Sequence, residues 1–273
     1  MQRFSMPRPI SIDDTFHQSD KPLSSPDQRP ATMTQYFQYD QFESAYGRKI
    51  AGLIHVGANE GQELQTYLDA GIRHIKLFEP LKDPFERLLA VIAKINDNSM
   101  IEAYNVALGA EEKTSQMFVA DNAGASSSLL EPMENQRVWK KIHFDATETV
   151  DIAPLSHYRS ADDPHNMLLL DVQGYELEVL RGAADMIGGF DYVISELNRE
   201  KSYKGSAGVA DIDQFMTEHG FRRMETYWLS RYWGDALYVR ADLIPASKLP
   251  IEVDQKKPRG LLKRLIYSIL GRV

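Results

Sequence analysis

The sequence predicts an α/β fold built on a mostly parallel sheet, with helices on both faces, and three observations predict it. From residue 50 onward, short β-rich runs alternate with amphipathic helical stretches, which is the pattern of successive βαβ units. The run Met167 to Asp171 is apolar up to its terminal acid, as suits a central strand buried on both faces. Near the end, Phe221 to Tyr227 and Ala236 to Arg240 are spaced to pair as antiparallel closing strands.

The elements follow in order. Residues 1–33 mix Pro, Ser, Asp and Gln with few periodic apolar positions and read as a flexible tail. Tyr36, Phe37, Tyr39, Phe42 and Tyr46 then suit a short helix laid against the domain, with core packing as the role of the rings. Ile50 to Val56 is the first strand, and a helix runs from about Gly61 to Ala70. His74 to Glu79 is the second strand, and the next helix opens at Asp83-Pro84, where Asp can cap and Pro suits the first turn. Residues 101–106 and 114–120 read as strands, and 121–128 as a small-residue loop. After the strand ending at Asp171 come a helix over 175–184, a strand over 192–196 and a helix over 209–219 that stops at Gly220. One domain over 34–245 is expected, followed over 246–273 by a linker and a basic amphipathic helix.

Composition narrows the function. The chain has 273 residues, 43% of them hydrophobic, enough for one sizeable core. No segment approaches the roughly 20 apolar residues of a membrane span, and neither a secretory leader nor any cysteine is present, so a cytoplasmic protein without thiolate metal sites is expected. A net charge of -8 argues against nucleic acid as partner. Residues 256–273 carry Lys256, Lys257, Arg259, Lys263, Arg264 and Arg272 with no acid, and Leu261, Leu262, Leu265, Ile266, Ile269 and Leu270 share one helical face. That segment suits an anionic membrane surface, a partner subunit or its own domain.

The chemistry is concentrated in three places. Gly57-Ala58-Asn59-Glu60-Gly61 follows the first strand, where glycine permits a sharp turn and close approach of a ligand to the main chain. Glu79 ends the second strand about twenty residues later, the placement of an acid that accepts hydrogen bonds from ribose hydroxyls. The loop lacks the three-glycine pattern of a pyrophosphate site, and Glu60 would repel a pyrophosphate. A nucleoside cofactor with an amino-acid end and a positive sulfonium fits better than a dinucleotide. Asp171 stands at the carboxyl end of the buried strand, where open α/β sheets place reacting groups. Gly174 turns the chain into the next helix, near whose start Glu176 and Glu178 complement its dipole, with a site role open for Glu176.

These segments resemble the FkbM-type methyltransferases, a branch of the Rossmann-like S-adenosylmethionine enzymes. The resemblance rests on residues 55–61, Phe78 to Pro80, Asn105 to Gly109, Ser126 to Leu129 and Leu170 to Gly182 in the family's order, and covers roughly residues 50–240. It implies S-adenosylmethionine as cofactor and O-methylation of a hydroxyl on a sugar, glycan or natural-product-like acceptor. By position it implies that Gly57, Asn59 and Gly61 line the methionine end, Glu79 the ribose, and Asn105, Val106 and Ala107 the adenine, with His55, Glu60 and Pro80 also among the cofactor-binding residues. Asp171 would lie near the sulfonium and the acceptor, as candidate general base, with His143, His157 and His165 as weaker alternatives. No required metal is expected. Two departures stand out, because the family usually has Asp at position 55 and Glu at position 173. The competing readings are a nicotinamide-dependent oxidoreductase and a noncatalytic nucleoside-binding or scaffold protein on the same fold.

Overall fold

The computed structural model describes residues 36–133, 142–160 and 162–254. The tail over 1–33 and the basic helix over 260–273 lie outside the described residues. The chain runs through α1 (Phe42–Tyr46), β1 (Leu53–Val56), α2 (Leu64–Asp69), β2 (His74–Phe78), α3 (Lys82–Ile92), β3 (Met100–Tyr104), β4 (Ala107–Leu108) and β5 (Lys113–Val119). It continues through β6 (Ala146–Ala153), β7 (Met167–Leu170), α4 (Glu176–Gly182), β8 (Tyr192–Asn198), α5 (Val209–Glu218), β9 (Phe221–Trp228), β10 (Trp233–Arg240) and β11 (Ile251–Asp254).

Eight strands form the main sheet in the order β11-β9-β10-β8-β7-β1-β2-β3. Strands β3, β2, β1, β7 and β8 are parallel, whereas β10 runs antiparallel to both β8 and β9. This is the Rossmann-like α/β arrangement with an antiparallel closing strand. Strand order reverses at β1, which has β2 on one side and β7 on the other. A crevice therefore opens there at the carboxyl ends of the strands, the place where open sheets bind ligands.

Period-two alternation divides the strands between two cores. Leu53, Met167, Leu169, Tyr192, Ile194, Leu237 and Val239 face α1, α2 and α3, where Phe42, Tyr46, Leu64, Tyr67, Phe85 and Leu88 meet them. Ile54, Val56, Leu168, Leu170, Val193, Ala236 and Tyr238 face α4 and α5. The aromatic residues before β1 are core, as expected: Phe42 packs edge-on to Tyr192 at 4.8 Å and Tyr46 lies 5.9 Å from the same ring. Helix α3 buries Pro84, Phe85, Leu88 and Ile92 along one stripe, and α5 buries Ile212 and Met216 one turn apart.

Three elements differ from the expectation. Helix α2 begins at Leu64, not near Gly61, because Gly57, Asn59 and Gly61 all have positive φ and hold residues 57–61 as a loop. Strands β4, β5 and β6 form a second, three-stranded sheet; β4 and β6 were not expected, and β6 spans 146–153 with mostly exposed alternate positions. Residues 251–254, read as linker, form β11 and extend the main sheet by pairing parallel with β9, so the domain runs past residue 245.

Candidate functional site

A cavity of about 310 Å³ lies at the carboxyl ends of β1, β2, β7 and β8. Its floor is the glycine loop. Gly57 and Ala58 both donate their N–H to the Phe78 carbonyl, at 2.9 and 3.0 Å, which tucks the loop over the end of β2. Gly57 has φ +88°, and a Cβ there would sit 1.8 Å from the Asp171 carbonyl oxygen, so only glycine allows the loop to cross the end of β7.

Glu79 is buried on the wall, with one carboxylate oxygen accepting the Asn59 N–H at 2.9 Å and the other the Leu81 N–H at 2.8 Å. Burial pushes its carboxyl up to about 7, and the two backbone donors oppose that rise. Each oxygen keeps acceptor capacity beyond its one backbone bond, which is what recognition of hydroxyls requires.

Asp171 follows the last residue of β7. Burial pushes it up to about 6, opposed by the bond that the Gln173 amide donates at 2.7 Å. The same amide nitrogen reaches Glu196 at 3.3 Å, and Gln173 Oε1 accepts from the Tyr203 hydroxyl at 3.0 Å. One neutral amide thus bridges the half-buried Asp171 and the buried Glu196. Gln173 and Gly174 are both left-handed, at φ 53° and 96°, and Glu176 ties this turn by accepting the Val172 and Gly174 N–H groups at 3.3 and 3.0 Å. That is the work of Glu176, which is buried and not on the cavity wall; burial raises its carboxyl to about 7. Glu178 pairs with Arg181 on the surface.

The structure brings Gly57, Asn59, Glu79, Pro80, Ala107 and Asp171 together on the cavity wall. Other residues named from the sequence lie elsewhere. His55 is buried on β1 with Nδ1 3.1 Å from the Tyr67 hydroxyl, and burial drives its pKa down to about 3, so the ring is neutral. Glu60 turns outward to Arg87, whose Nε lies 2.6 Å from Glu60 Oε1. Gly61 abuts Leu88, where a Cβ would meet Cδ1 at 2.7 Å. Asn105 spends its amide on the carbonyls of Glu79 and Pro80, at 2.9 and 2.8 Å, and so pins the loop that carries Glu79. Val106 packs into the core. None of these five lines the cavity, and neither do His143, His157 and His165.

Sequence reading missed Gln62, Glu63, Glu196, Asn198 and Trp233 on the wall. Burial and the nearby Asp171 raise Glu63 to about 7, and burial with Asp171, Glu176 and Asp235 raises Glu196 well above the usual carboxylate range. The small-residue loop does form a wall, through Asn122, Gly124, Ala125, Ser126 and Ser127. It is latched to the glycine loop through the Ala123 carbonyl, which accepts from Arg87 at 3.4 Å and Asn59 at 3.5 Å. Among the described residues no group of three or more His, Cys, Asp or Glu is arranged to hold a metal ion, and no helix is long and apolar enough to cross a membrane.

Comparison with known proteins gives the following. The magnesium protoporphyrin IX methyltransferase ChlM of Synechocystis PCC 6803, solved with bound SAM, is 13% identical over 74% of this chain and 76% of that one, with a TM-score of 0.41. Sp1610 of Streptococcus pneumoniae, a putative tRNA (m1A22) methyltransferase solved with S-adenosyl-L-methionine, is 10% identical over 76% of this chain and 75% of that one, with a TM-score of 0.42. TrmK of M. capricolum, solved with S-adenosyl-homocysteine, is 7% identical over 79% and 73%, with a TM-score of 0.44. No curated protein matches the chain. The model of the methyltransferase FkbM domain matches residues 55–223, more than half of the chain, from the strand that carries the glycine loop to the start of β9. With that match over the segments that build the cavity, the chain belongs to the FkbM methyltransferase domain family.

Proposed function

We propose that this chain transfers a methyl group from S-adenosylmethionine to a hydroxyl of a sugar, glycan or natural-product-like acceptor, with Asp171 as the general base. The observation that carries this reading is Asp171 itself, a half-buried carboxylate on the cavity wall between the glycine loop and the ends of β8 and β10. The donor set suits the cofactor. None of the described residues lining the cavity is Lys, Arg or His, which disfavours a pyrophosphate and suits a positively charged group. Gly57 and Asn59 would hold the amino-acid end, Glu79 and Pro80 the ribose, and Ala107 with Leu108 the adenine. When bound, S-adenosylmethionine supplies an electrophilic methyl group on a positive sulfur.

The chain supplies alignment and proton removal. With its pKa near 6, Asp171 is ionised at neutral pH yet more basic than an ordinary aspartate, the compromise a general base needs. The Gln173 amide fixes the rotation of that carboxylate, so one oxygen is held by the amide and the other is left to accept the hydroxyl proton. Asn122 to Ser127 wall the cavity from above and reduce the water that competes for the same position.

Calorimetric titration with S-adenosylmethionine tests the cofactor assignment, with NAD as control. Binding should weaken at least tenfold in Glu79→Ala, since charge-assisted bonds to ribose hydroxyls are worth about 1.5–3 kcal/mol. Asp171→Asn should keep cofactor binding and lose about 10²–10⁴ in methyl transfer to hydroxylated acceptors, followed by mass spectrometry. Binding of NAD in preference to S-adenosylmethionine would return the oxidoreductase reading, and binding of neither the scaffold reading.

A further inference from the structure

Tyr203 stands in the loop between β8 and α5, buried on the cavity wall, and its hydroxyl has no part in the reaction as described so far. Its neighbours hold it firmly. The chain around it bonds to the segment that follows the loop over 121–128, with Met133 donating its N–H to the Ser202 carbonyl at 3.0 Å and Lys204 to the Glu131 carbonyl at 2.8 Å. Ser206 Oγ donates to the Tyr203 carbonyl at 2.9 Å, and the ring lies against Gly174, where a Cβ would meet Tyr203 Cδ2 at 3.1 Å. The hydroxyl then stands between two acceptors, the Ser126 carbonyl at 2.8 Å and Gln173 Oε1 at 3.0 Å. A phenol has one proton to give, so these two acceptors share it. Burial, with Glu196, Glu176 and Asp171 nearby, raises the hydroxyl well above its ordinary pKa, so that proton stays on the ring.

Gln173 can hold Asp171 only while it is itself held. Its amide nitrogen spends its bonds on the two carboxylates, Asp171 at 2.7 Å and Glu196 at 3.3 Å, so the anchor on the other side of the amide is the Tyr203 hydroxyl. A donor at the amide oxygen also polarises the group and strengthens what its N–H gives to Asp171. The loop over 121–128 reaches the same residue a second way, because Ser128 Oγ donates to the Gln173 carbonyl at 2.8 Å. Backbone and side chain of Gln173 are thus both tied to the wall that covers the cavity.

We propose that Tyr203 is a positioning residue for methyl transfer, whose hydroxyl anchors the Gln173 amide, and through it the Asp171 carboxylate, to the loop that walls the cavity. The inference rests on the reading of Asp171 as the general base. Tyr203 acts on the base through Gln173, so removing its hydroxyl weakens the bond from the amide to Asp171. The carboxylate then loses a donor that favours its ionised form, and its titration moves upward.

The test is a pH titration of the full, ligand-free chain carrying carbon-13 at its aspartate carboxyl groups, with the Asp171 signal identified by its loss in Asp171→Asn. Tyr203→Phe should raise the Asp171 midpoint by about 0.5–1 pH unit, a three- to tenfold change in proton affinity. Gln173→Met should raise it at least as far, and the double variant no further than Gln173→Met alone, because the hydroxyl acts through the amide. Glu63, Glu79, Glu176, Glu196 and Asp235, the acids around Asp171, are the same in every variant, so the shift reports the amide and its partner. Where Tyr203→Phe does not fold, 3-fluorotyrosine at position 203 decides, since its hydroxyl is the stronger donor and should move the midpoint downward. A midpoint unmoved by either replacement, or shifts of Tyr203→Phe and Gln173→Met that add in the double variant, overturns the inference. Failure of the wild type to bind S-adenosylmethionine counts instead against the methyltransferase reading, and the midpoints still decide whether Tyr203 positions Asp171.

Discussion

Two buried polar clusters sit at opposite ends of the same sheet and are built on opposite principles. On the amino-terminal side of β7, Asp163 is bonded to both the Lys76 ammonium and the His165 ring, and Lys76 also donates to the Tyr158 carbonyl at 2.7 Å. Arg159 closes that cluster by donating to the carbonyls of His165 and Gly189 at 3.0 and 3.2 Å, with its guanidinium 4.3 Å over Phe190. At the carboxyl end, Glu63, Glu79, Asp171, Glu196 and Asp235 are buried or face the cavity without a basic side chain among the residues that line it. The chain therefore neutralises buried acid where its role is to hold loops together, and withholds the cation where a ligand must supply it. The acidic excess at one end is a property of the site and not of loose packing.

Breaking the neutralised cluster should have the largest effect. Lys76→Met keeps most of the side-chain volume but strands a buried carboxylate, and should lower unfolding free energy by about 3–5 kcal/mol in urea titration. Adding Asp163→Asn to that variant should recover much of the loss, because the charge left behind is then gone. A loss under about 1 kcal/mol for Lys76→Met would mean that the contrast between the two ends is not energetic.

The two ends should also respond to pH in opposite directions. Burial favours the neutral form of Asp163, but the bonds from Lys76 and His165 outweigh it and hold its carboxyl below the ordinary range. Its stabilisation is present above the unfolded pKa and is lost only as acid brings pH down through the folded value. Glu63, Glu79 and Glu176 are raised from 4.5 to about 7, so their contribution is present below 4.5 and is lost as pH rises toward 7. Stability of the ligand-free protein should therefore fall between pH 4.5 and 7, a window in which Asp163 stays ionised. Glu63→Gln should flatten that slope by up to roughly 3 kcal/mol, read from urea unfolding at several pH values. A slope unchanged in Glu63→Gln would remove Glu63 from the set.

Gln173→Glu sharpens the comparison within the site, because it installs the residue the family usually carries. In this chain the amide is the donor that Asp171 and Glu196 share, so a carboxylate there adds a third acid and removes the bridge. The variant should be destabilised by about 1–2 kcal/mol at pH 8 and much less at pH 5, where the added carboxyl can stay protonated and donate. Equal stability at both pH values would show that Gln173 bridges nothing of consequence.

How much of this the sequence disclosed depends on range. The glycine loop, Glu79 and Asp171 were legible because each is a short stretch at the end of an apolar strand, and parallel pairing of β1 with β2 and β7 brings those ends together. The small sheet was not, since β4 has two residues and β6 has four exposed or half-exposed positions before its first buried one. Asp235 carries no local signal, as it lies inside an otherwise strand-like run and gains meaning only from standing opposite Glu196, thirty-nine positions earlier in the chain. His55 and Glu60 were placed at the cofactor from position in a motif alone. The side-chain partners they have in the structure, Tyr67 and Arg87, come from the helices that follow and could not be read from the loop.

Arg87 gives the smallest effect and the finest test of the cavity's upper wall. Its guanidinium holds Glu60 at 2.6 Å and the Ala123 carbonyl at 3.4 Å, so it joins the glycine loop to the loop that covers the cavity. Because the pair is partly exposed, Arg87→Ala should change unfolding free energy by no more than about 0.5–1 kcal/mol, and less at high salt. The link between the glycine loop and the covering loop would then rest on the 3.5 Å contact from Asn59, while Tyr203 still holds the Ser126 carbonyl at 2.8 Å, and the freed Glu60 would stay in solvent. S-adenosylmethionine should leave the variant faster, with a Kd raised a few-fold mainly through the dissociation rate, as stopped-flow displacement would show. An unchanged dissociation rate would mean that the loop over 121–128 is a wall that the cofactor passes without moving it, and that latching it contributes nothing to retention.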